Sequence, residues 1–277
     1  MQLPFTNYKR NLSCIKLKIS IVIVEYNSLD ELDFFFKNLK KDSSYEVEII
    51  VSSNSCYPLN KRKDIKSQFP QIIWSFNDKN GGFAYAMNKG LAVATGDILV
   101  ISNPDCSIKH GLKEMAEFLT THPEVGAIGP KIVDNENYIQ DSCRSYVTLP
   151  SYIMRQLKRV MFKKDSVLDS KFDYNSVQTV DWIIGAFIMV TREVYKKTGG
   201  LCDDYFMYAE DLDWCTRIRK AGYEVVYYPK AQIVYKGTRS ARHSWKYMKI
   251  FLKSHFLYWK RFGYLKVMPI KKDIIYA

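Results

Sequence analysis

Hydrophobic and polar positions in this chain follow two alternating rhythms. Ile19 to Val24, within KISIVIVEYN, form a β-branched run of the kind that fills a strand buried on both faces of a parallel sheet. Asn27 and Ser28 supply turn or capping chemistry, and LDELDFFFKNLKK then returns to a helical period. The alternation recurs. EVEIIVSSNS predicts a second strand ending in a polar loop, Lys61 to Phe69 a helix, and QIIWSFN a third strand. GGFAYAMNKGLAVA predicts a helix opened by glycines, and GDILVISNPD a fourth strand ending in a carboxylate. Gly111 to Thr120 reads as a helix and VGAIGPKIV as a strand, whereas residues 140–180 are less regular, polar and basic. VDWIIGAFIMVTREVYKKTGG predicts a strand, a turn and a helix closed by Gly199 and Gly200. AEDLDWCTRIRKAGY is an acidic-started helix with a stop at Gly222, followed by two short strands, EVVYYP and AQIVYKG. From Ser244 the pattern is helical, aromatic and basic.

Strands alternating with helices imply βαβ units around a parallel sheet, hence an α/β fold with a Rossmann-like, mostly parallel central sheet flanked by helices. Polar residues gather where strands end: Asn27, Asn54, Asn103 and Asp105. Open α/β sheets bind ligands beyond the carboxyl ends of their strands, so one rim is the expected site.

Composition narrows the class. The 277 residues are 47% hydrophobic and 25% charged, which excludes a disordered chain. The formal charge of +12 favours anionic partners without choosing among nucleic acid, phosphorylated substrates and acidic membrane. Cysteines at 14, 56, 106, 143, 202 and 215 show no C-x-x-C spacing, and His110, His122, His243 and His255 show no ligand spacing. Met1 to Lys18 lacks a secretory apolar segment and no run reaches the roughly 20 residues of a membrane span, so reduced thiols in a cytoplasmic protein are expected.

Three segments carry candidate chemistry. In ISNPDC an apolar strand delivers Asp105 into a loop, where it could bind a divalent cation gripping a diphosphate or simply complete a turn. In YAEDLDWC, Glu210, Asp211 and Asp213 open a helix; Glu210 and Asp213 share a face and Asp211 points elsewhere. A carboxylate there could act as general base, or merely complement the helix dipole. In NGGFAYAMNKG, two glycines at a helix start permit close backbone approach, without matching a dinucleotide or Walker loop.

In this order the segments resemble an inverting family 2 glycosyltransferase of GT-A fold, more narrowly its bacterial rhamnosyltransferase-like branch that builds cell-surface polysaccharide. The resemblance runs from about Ile19 to Ser240 through VIVEYN, NDKNGGFAYAMNKG, ISNPD and the long segment DWIIGAFIMVTREVYKKTGGLCDDYFMYAEDLDWCTRIRKAGY. It implies that Asp105 binds Mg²⁺ or Mn²⁺ and that Asp211 is the catalytic base, supported by Glu210 and Asp213. It places Tyr26, Asn27, Ser53, Asn54, Asn80, Gly82, Phe83, Asn88, Asn103 and Asp105 around a nucleoside diphosphate sugar, with dTDP-rhamnose a candidate. Trp182 and Gly185 fall on the side of the acceptor, a hydroxyl of a cell-surface or lipid-linked glycan. The chain departs from the family pattern at Glu25, commonly Thr or Pro. It departs again at Ser53, commonly an Asp that holds the nucleotide base, and at Tyr235, usually a His that helps hold metal or diphosphate. Lys236 or Arg239 is an alternative partner for the leaving diphosphate. A non-catalytic sugar- or nucleotide-binding protein on the same fold is the rival reading.

The expected organisation is a leader at 1–17, a catalytic domain at 18–240 and a basic tail at 241–277. The tail holds nine basic residues against Asp273 alone, with Trp245, Met248, Phe251, Leu252, His255, Phe256 and Trp259 at helical spacing. Such a helix over 244–277 either docks on the catalytic domain or lies on an anionic membrane surface. Because the positive charge concentrates there and lines no aromatic groove, nucleic acid is not an expected partner.

Overall fold

The computed structural model describes residues 16–37, 39, 44–162, 168, 171–237, 245–265 and 275–276. Most of the expected leader, and Arg239, Ser240, Arg242, His243, Lys266, Lys271, Lys272 and Asp273 of the tail region, lie outside the described residues.

The elements follow the expected alternation: β1 (Leu17–Glu25), α1 (Leu29–Lys37), β2 (Tyr45–Ser53), α2 (Leu59–Gln68), β3 (Ile73–Phe76), α3 (Phe83–Val93) and β4 (Ile98–Ser102). Then come β5 (Cys106–His110), α4 (Leu112–Thr121), β6 (Val125–Val133), β7 (Cys143–Arg144), α5 (Leu149–Phe162), β8 (Val177–Thr179) and β9 (Trp182–Ile183). The chain continues through β10 (Phe187–Thr191), α6 (Arg192–Thr198), α7 (Glu210–Lys220), β11 (Glu224–Tyr235), α8 (Trp245–Phe262) and β12 (Ile275–Tyr276).

One ten-stranded sheet runs β12-β8-β11-β6-β10-β4-β1-β2-β3, with β5 on β11, and β7 pairs β9 in a separate ladder. Strands β1 to β4 are parallel, as are β6 and β11, while β10 is antiparallel to both β4 and β6. The sheet is therefore mostly parallel, as the sequence pattern implied. Antiparallel β10 brings its N-terminal end, and Gly185 just before it, to the same edge as the C-terminal ends of its neighbours.

Alternation in β1 explains the two-sided core. Ile19, Ile21 and Ile23 pack with Leu32, Phe35, Ile65 and Met115 on one face. Val22 and Val24 pack with Met87, Leu91, Leu212 and Trp214 on the other. Glu48 is a polar exception within that core. Burial opposes its charge, but hydrogen bonds from Ser20 and Thr95 and the Lys18 ammonium outweigh it and bring the carboxyl down to about 2.

Three expectations need correction. The irregular segment 140–180 contains a 14-residue helix, α5. Its first residues carry Pro150 and Ser151, which weakened the periodic signal. Strand β5 was not expected, because Cys106–His110 is too short and too mixed to show a period. The two strands around Pro229 are one strand, β11, whose register against β6 shifts between Tyr228 and Gln232. The described part of the tail takes the docked arrangement, one of the two expected for it. His255, Tyr258 and Trp259 are buried against the domain, and β12 pairs with β8 of the main sheet. Phe256 and Trp245, placed in the same apolar stripe by sequence, are 52% and 84% exposed.

Candidate active site

The site grows from the start of α7. Its first-turn residues Glu210, Asp211 and Asp213 meet the positive end of the helix dipole. Just before them, Tyr208 and Ala209 hold left-handed conformations, φ 71° and 64°. For residues with a β-carbon this costs roughly 1–2 kcal/mol each, so the surroundings must impose it. They do. The Phe83 N–H donates to the Phe206 carbonyl at 2.8 Å, Ser254 Oγ donates to the Met207 carbonyl at 2.7 Å, and the Tyr208 ring meets Phe251 edge-on at 5.5 Å.

This strained entry delivers Asp211 to the sheet rim. Its Oδ2 accepts the Gly185 N–H at 2.7 Å and its Oδ1 accepts the Leu212 N–H at 2.8 Å. A β-carbon at Gly185 would lie 3.3 Å from that of Asp211, a tight approach. Burial raises the Asp211 carboxyl above its ordinary range, with the two amide donors and the Arg144 guanidinium opposing. Glu210 is pushed well above its range by burial and by the charge of Asp211, and its Oε2 is buried without a hydrogen-bond partner. Of the two adjacent acids, Asp211 is the one with hydrogen-bond donors that favour its charged form.

Asp213 turns the other way. Its carboxylate accepts from Arg217 Nε at 2.6 Å, Tyr205 OH at 3.1 Å and Arg261 Nη1 at 3.3 Å, tying α7 to α8. The sequence pattern had Asp211 pointing away from it and the family resemblance made it a support of that residue; the structure commits Asp213 to this ion-pair network, deeply buried.

Asp105 sits in the β4–β5 turn. Its Oδ2 accepts the Gly237 N–H at 3.2 Å. Burial raises its carboxyl and the nearby Glu31 adds to this, while Lys236 opposes. Lys236 itself pairs with Glu31 at 3.0 Å and lies 4.1 Å from the Phe34 ring centre. Asn103 Nδ2 donates to Tyr235 OH at 3.2 Å. Burial and the Asp105 charge push the Tyr235 phenol up, so it stays neutral and is a poor metal ligand. Among the described residues no group of three His, Cys, Asp or Glu side chains could hold a metal. The donor set therefore fits only a hard cation that takes one carboxylate and completes its shell from diphosphate and water, as Mg²⁺ commonly does.

At the ends of β1 and β2, Tyr26 is exposed and Asn27 N–H donates to Ser55 Oγ at 2.7 Å. Ser53 and Asn54 are buried, and Asn54 Nδ2 donates to the Gly82 carbonyl at 2.9 Å. Gly82 has φ 92°, and a β-carbon there would meet the Phe206 carbonyl at 2.2 Å. Only glycine lets α3 begin against the loop that feeds α7. Asn80 Oδ1 accepts the Gly82 N–H at 3.0 Å, and partly buried Phe83 packs on the core.

Two expected residues are spent on architecture. Asn88 binds both the N–H and the carbonyl of Leu201, at 2.9 and 2.6 Å, and donates to Asp203. Trp182 is buried in the β7–β9 ladder, with Nε1 on the Ser145 carbonyl at 3.0 Å and Arg144 5.0 Å over its ring. Arg144 itself went unnoticed in the sequence. It lies in the irregular segment with no motif around it, and only the fold brings its charge near Asp211.

The family model described as Glycosyl transferase family 2 matches residues 20–217, which include every site residue above except Tyr235, Lys236, Gly237 and those of α8. The chain is 24% identical over 240 residues to N-acetylglucosaminyl-diphospho-decaprenol L-rhamnosyltransferase of Mycobacterium tuberculosis, covering 80% of this chain and 77% of that protein. It is 25% identical over 259 residues to the rhamnosyltransferase WbbL of Escherichia coli, covering 88% and 93%. Two solved structures share the fold with a TM-score of 0.60. Mannosyltransferase PcManGT of Pyrobaculum calidifontis, in complex with GDP-Man and Mn²⁺, is 20% identical over 92% of this chain and 67% of its own. GalNAc-T7, with UDP, GalNAc and Mn²⁺, is 14% identical over 79% of this chain, which spans 44% of that one. Sequence match and fold agree with the rim geometry: the chain belongs to glycosyl transferase family 2 and is a rhamnosyltransferase-like glycosyltransferase.

Proposed function

We propose that this enzyme transfers rhamnose from a nucleoside diphosphate donor, dTDP-rhamnose, to a hydroxyl of a lipid-linked glycan, inverting the anomeric centre. The observation that carries the reading is Asp211. Its carboxylate accepts two backbone N–H groups at the strand rim and sits beside a second acid that burial and the Asp211 charge push well above its ordinary range. Asp211 takes the acceptor proton as the hydroxyl attacks the anomeric carbon. Arg144, stacked on Trp182, supplies positive charge on that side. Asp105 would hold Mg²⁺ or Mn²⁺, whose chemistry is to offset charge on the departing diphosphate. Lys236, close enough to influence Asp105, adds fixed positive charge at the same loop. The two rhamnosyltransferase relatives, one named for a diphospho-decaprenol acceptor, support the donor and acceptor classes.

No helix among the described residues is long and apolar enough to cross a membrane. A lipid-linked acceptor then requires the enzyme to meet the bilayer at its surface. We place that contact at the cytoplasmic face, on the outward side of α8 with Trp245 and Phe256, and on neighbouring α5, whose Ile153, Met154 and Leu157 are exposed. Tyr152 of α5 packs against Trp259 of α8, so the two helices form one surface. Residues 142–164 contain no acidic side chain, which suits an anionic leaflet.

Thermal-shift screening against dTDP-rhamnose, UDP-sugars and GDP-sugars, with and without Mn²⁺, tests the reading. A ligand at 100 times its dissociation constant stabilises the fold by about 2.7 kcal/mol. No shift with dTDP-rhamnose alongside a clear shift with another donor would reassign the sugar nucleotide.

A further inference from the structure

The β7–β9 ladder stands apart from the main sheet, beside the start of α7. Cys143 pairs with Ile183 and Arg144 with Trp182, and the Ile184 N–H donates to the Ser142 carbonyl at 3.0 Å. The same antiparallel register carries Asp141 to a place beside Gly185, the residue whose N–H holds Asp211. Arg144 does not extend away from this end of the ladder. Its side chain turns back along β7, with Nε donating to Asp141 Oδ2 at 2.9 Å and Nη2 to the Asp141 carbonyl at 3.3 Å. The guanidinium carbon also lies 5.0 Å from the centre of the Trp182 ring. Asp141 and Trp182 together fix one cation at the end of the ladder where Asp211 arrives.

The other charged and titratable groups around Asp211 are spoken for. On α7, Glu210 is raised by burial and by Asp211 itself, and Asp213 is answered by Arg217 and Arg261. Arg219 is committed to Glu224 and the Val180 carbonyl. Burial and the Asp211 charge push the Cys215 thiol up to about 12, and burial pushes Tyr208, beside Glu210, up to about 12. From α8, His255 is lowered to about 4 by burial and by the Arg144 charge, so it carries no charge near neutral pH. The β9–β10 turn supplies the Gly185 N–H. A general base must be ionised to take a proton, and burial alone drives a carboxyl toward its neutral form. Arg144 is the cation that opposes burial at Asp211.

We propose that Arg144 is a positioning residue for the base: pinned by Asp141 and Trp182, its guanidinium keeps the buried Asp211 carboxylate ionised at the pH where the enzyme works. The inference rests on the reading of Asp211 as the base and adds the group that makes a buried carboxylate usable there. It also gives the separate ladder a task, since residues more than sixty positions before α7 carry a fixed charge to the start of that helix.

Profiles of kcat/KM against pH for the wild type, Arg144→Gln and Arg144→Lys test this. The wild type should show an acid limb that Asp211→Asn removes. Arg144→Gln removes the charge but keeps a polar side chain, so its limb should move to higher pH. On that limb its rate should be roughly tenfold below wild type, the size of effect that a neighbouring opposite charge commonly has on a carboxyl. The deficit should shrink as pH rises, whereas a residue that only staples the fold would lower the rate by the same factor at every pH. Arg144→Lys restores a charge and should bring the limb back toward its wild-type position. Arg144→Met, which keeps a long side chain on Trp182, should behave as Arg144→Gln and serves if that variant fails to fold. A limb that stays in place in the neutral variants, a uniform loss at every pH, or a lysine variant no closer to wild type than the glutamine one overturns the inference alone. An acid limb unchanged in Asp211→Asn overturns the reading of Asp211 and the inference with it.

Discussion

Replacing Asp211 by Asn separates chemistry from architecture at the proposed base. The wild-type carboxylate accepts two backbone N–H groups, from Gly185 and Leu212. Asn keeps one acceptor oxygen and turns an NH₂ toward the other amide, so one hydrogen bond is lost and a donor is left buried. That costs about 1–3 kcal/mol, within the 5–15 kcal/mol of a typical domain, so the variant should fold with a melting point lower by roughly 2–10 °C. Turnover should fall much further, by about 10²–10⁴-fold, because Asn cannot take the acceptor proton. At about 1.4 kcal/mol per tenfold, that is roughly 3–5 kcal/mol of barrier, more than partial unfolding can account for. Donor binding, measured calorimetrically, should stay near wild type. The pH profile gives a second check. Burial raises the Asp211 carboxyl, so wild-type kcat/KM should decline on the acid side at a pH above the ordinary aspartate range. The variant's residual activity should lack that limb. Near-normal turnover, or an acid limb unchanged in Asp211→Asn, would refute the assignment.

Asp105→Ala should weaken donor binding in the presence of Mn²⁺ and leave little difference when Mn²⁺ is omitted; full activity of the wild type in excess EDTA would remove the metal role. Burial lowers His255 to about 4, so the unfolded chain binds a proton that the folded one refuses between about pH 6.5 and 4. Stability should therefore fall by up to about 3 kcal/mol as pH drops through that window, read as a lower urea midpoint, and His255→Phe should flatten the change. Deleting residues 244–277 should cause aggregation or a large drop in melting temperature, since Tyr258 and Trp259 are buried in the domain. The full-length protein should co-sediment with anionic vesicles at low salt and release as salt rises; no binding at any ionic strength would exclude the membrane surface.

The sheet and its rim were legible because their signals are local. A β-branched run marks a buried strand, glycines at 81 and 82 mark a helix start, and three carboxylates mark the opening of α7. Partnerships across the fold were not. Helical spacing already turned Asp211 and Asp213 apart, but it did not show that one would meet Gly185 and the other Arg217 and Arg261. Asn88 sits in a motif that suggests ligand contact, but its amide is matched by Leu201, over a hundred residues away. Arg144 had no motif, and the loop whose Ser55 and Tyr57 hydroxyls donate to Glu25 shows nothing in sequence beyond serines and a tyrosine.

The tail illustrates how a local pattern can be right while its role is incomplete. Aromatic and basic spacing predicts an amphipathic helix, and α8 is one. What the pattern omits is that α8 braces, from behind, the loop that leads to the proposed base. Ser254 holds the Met207 carbonyl, Phe251 packs on Tyr208, and Arg261 reaches Asp213 and Asp204. Tyr208 and Ala209 sit in strained left-handed conformations just before Asp211, and such strain persists only where neighbours over-determine it. Two of those constraints come from α8 and one from Gly82 through Phe206 and Phe83. The helix that would meet the membrane on its outer face is therefore the same helix that holds the proposed base in place on its inner face. Loss of α8 should abolish turnover even on a water-soluble acceptor, where a simple membrane anchor would be dispensable.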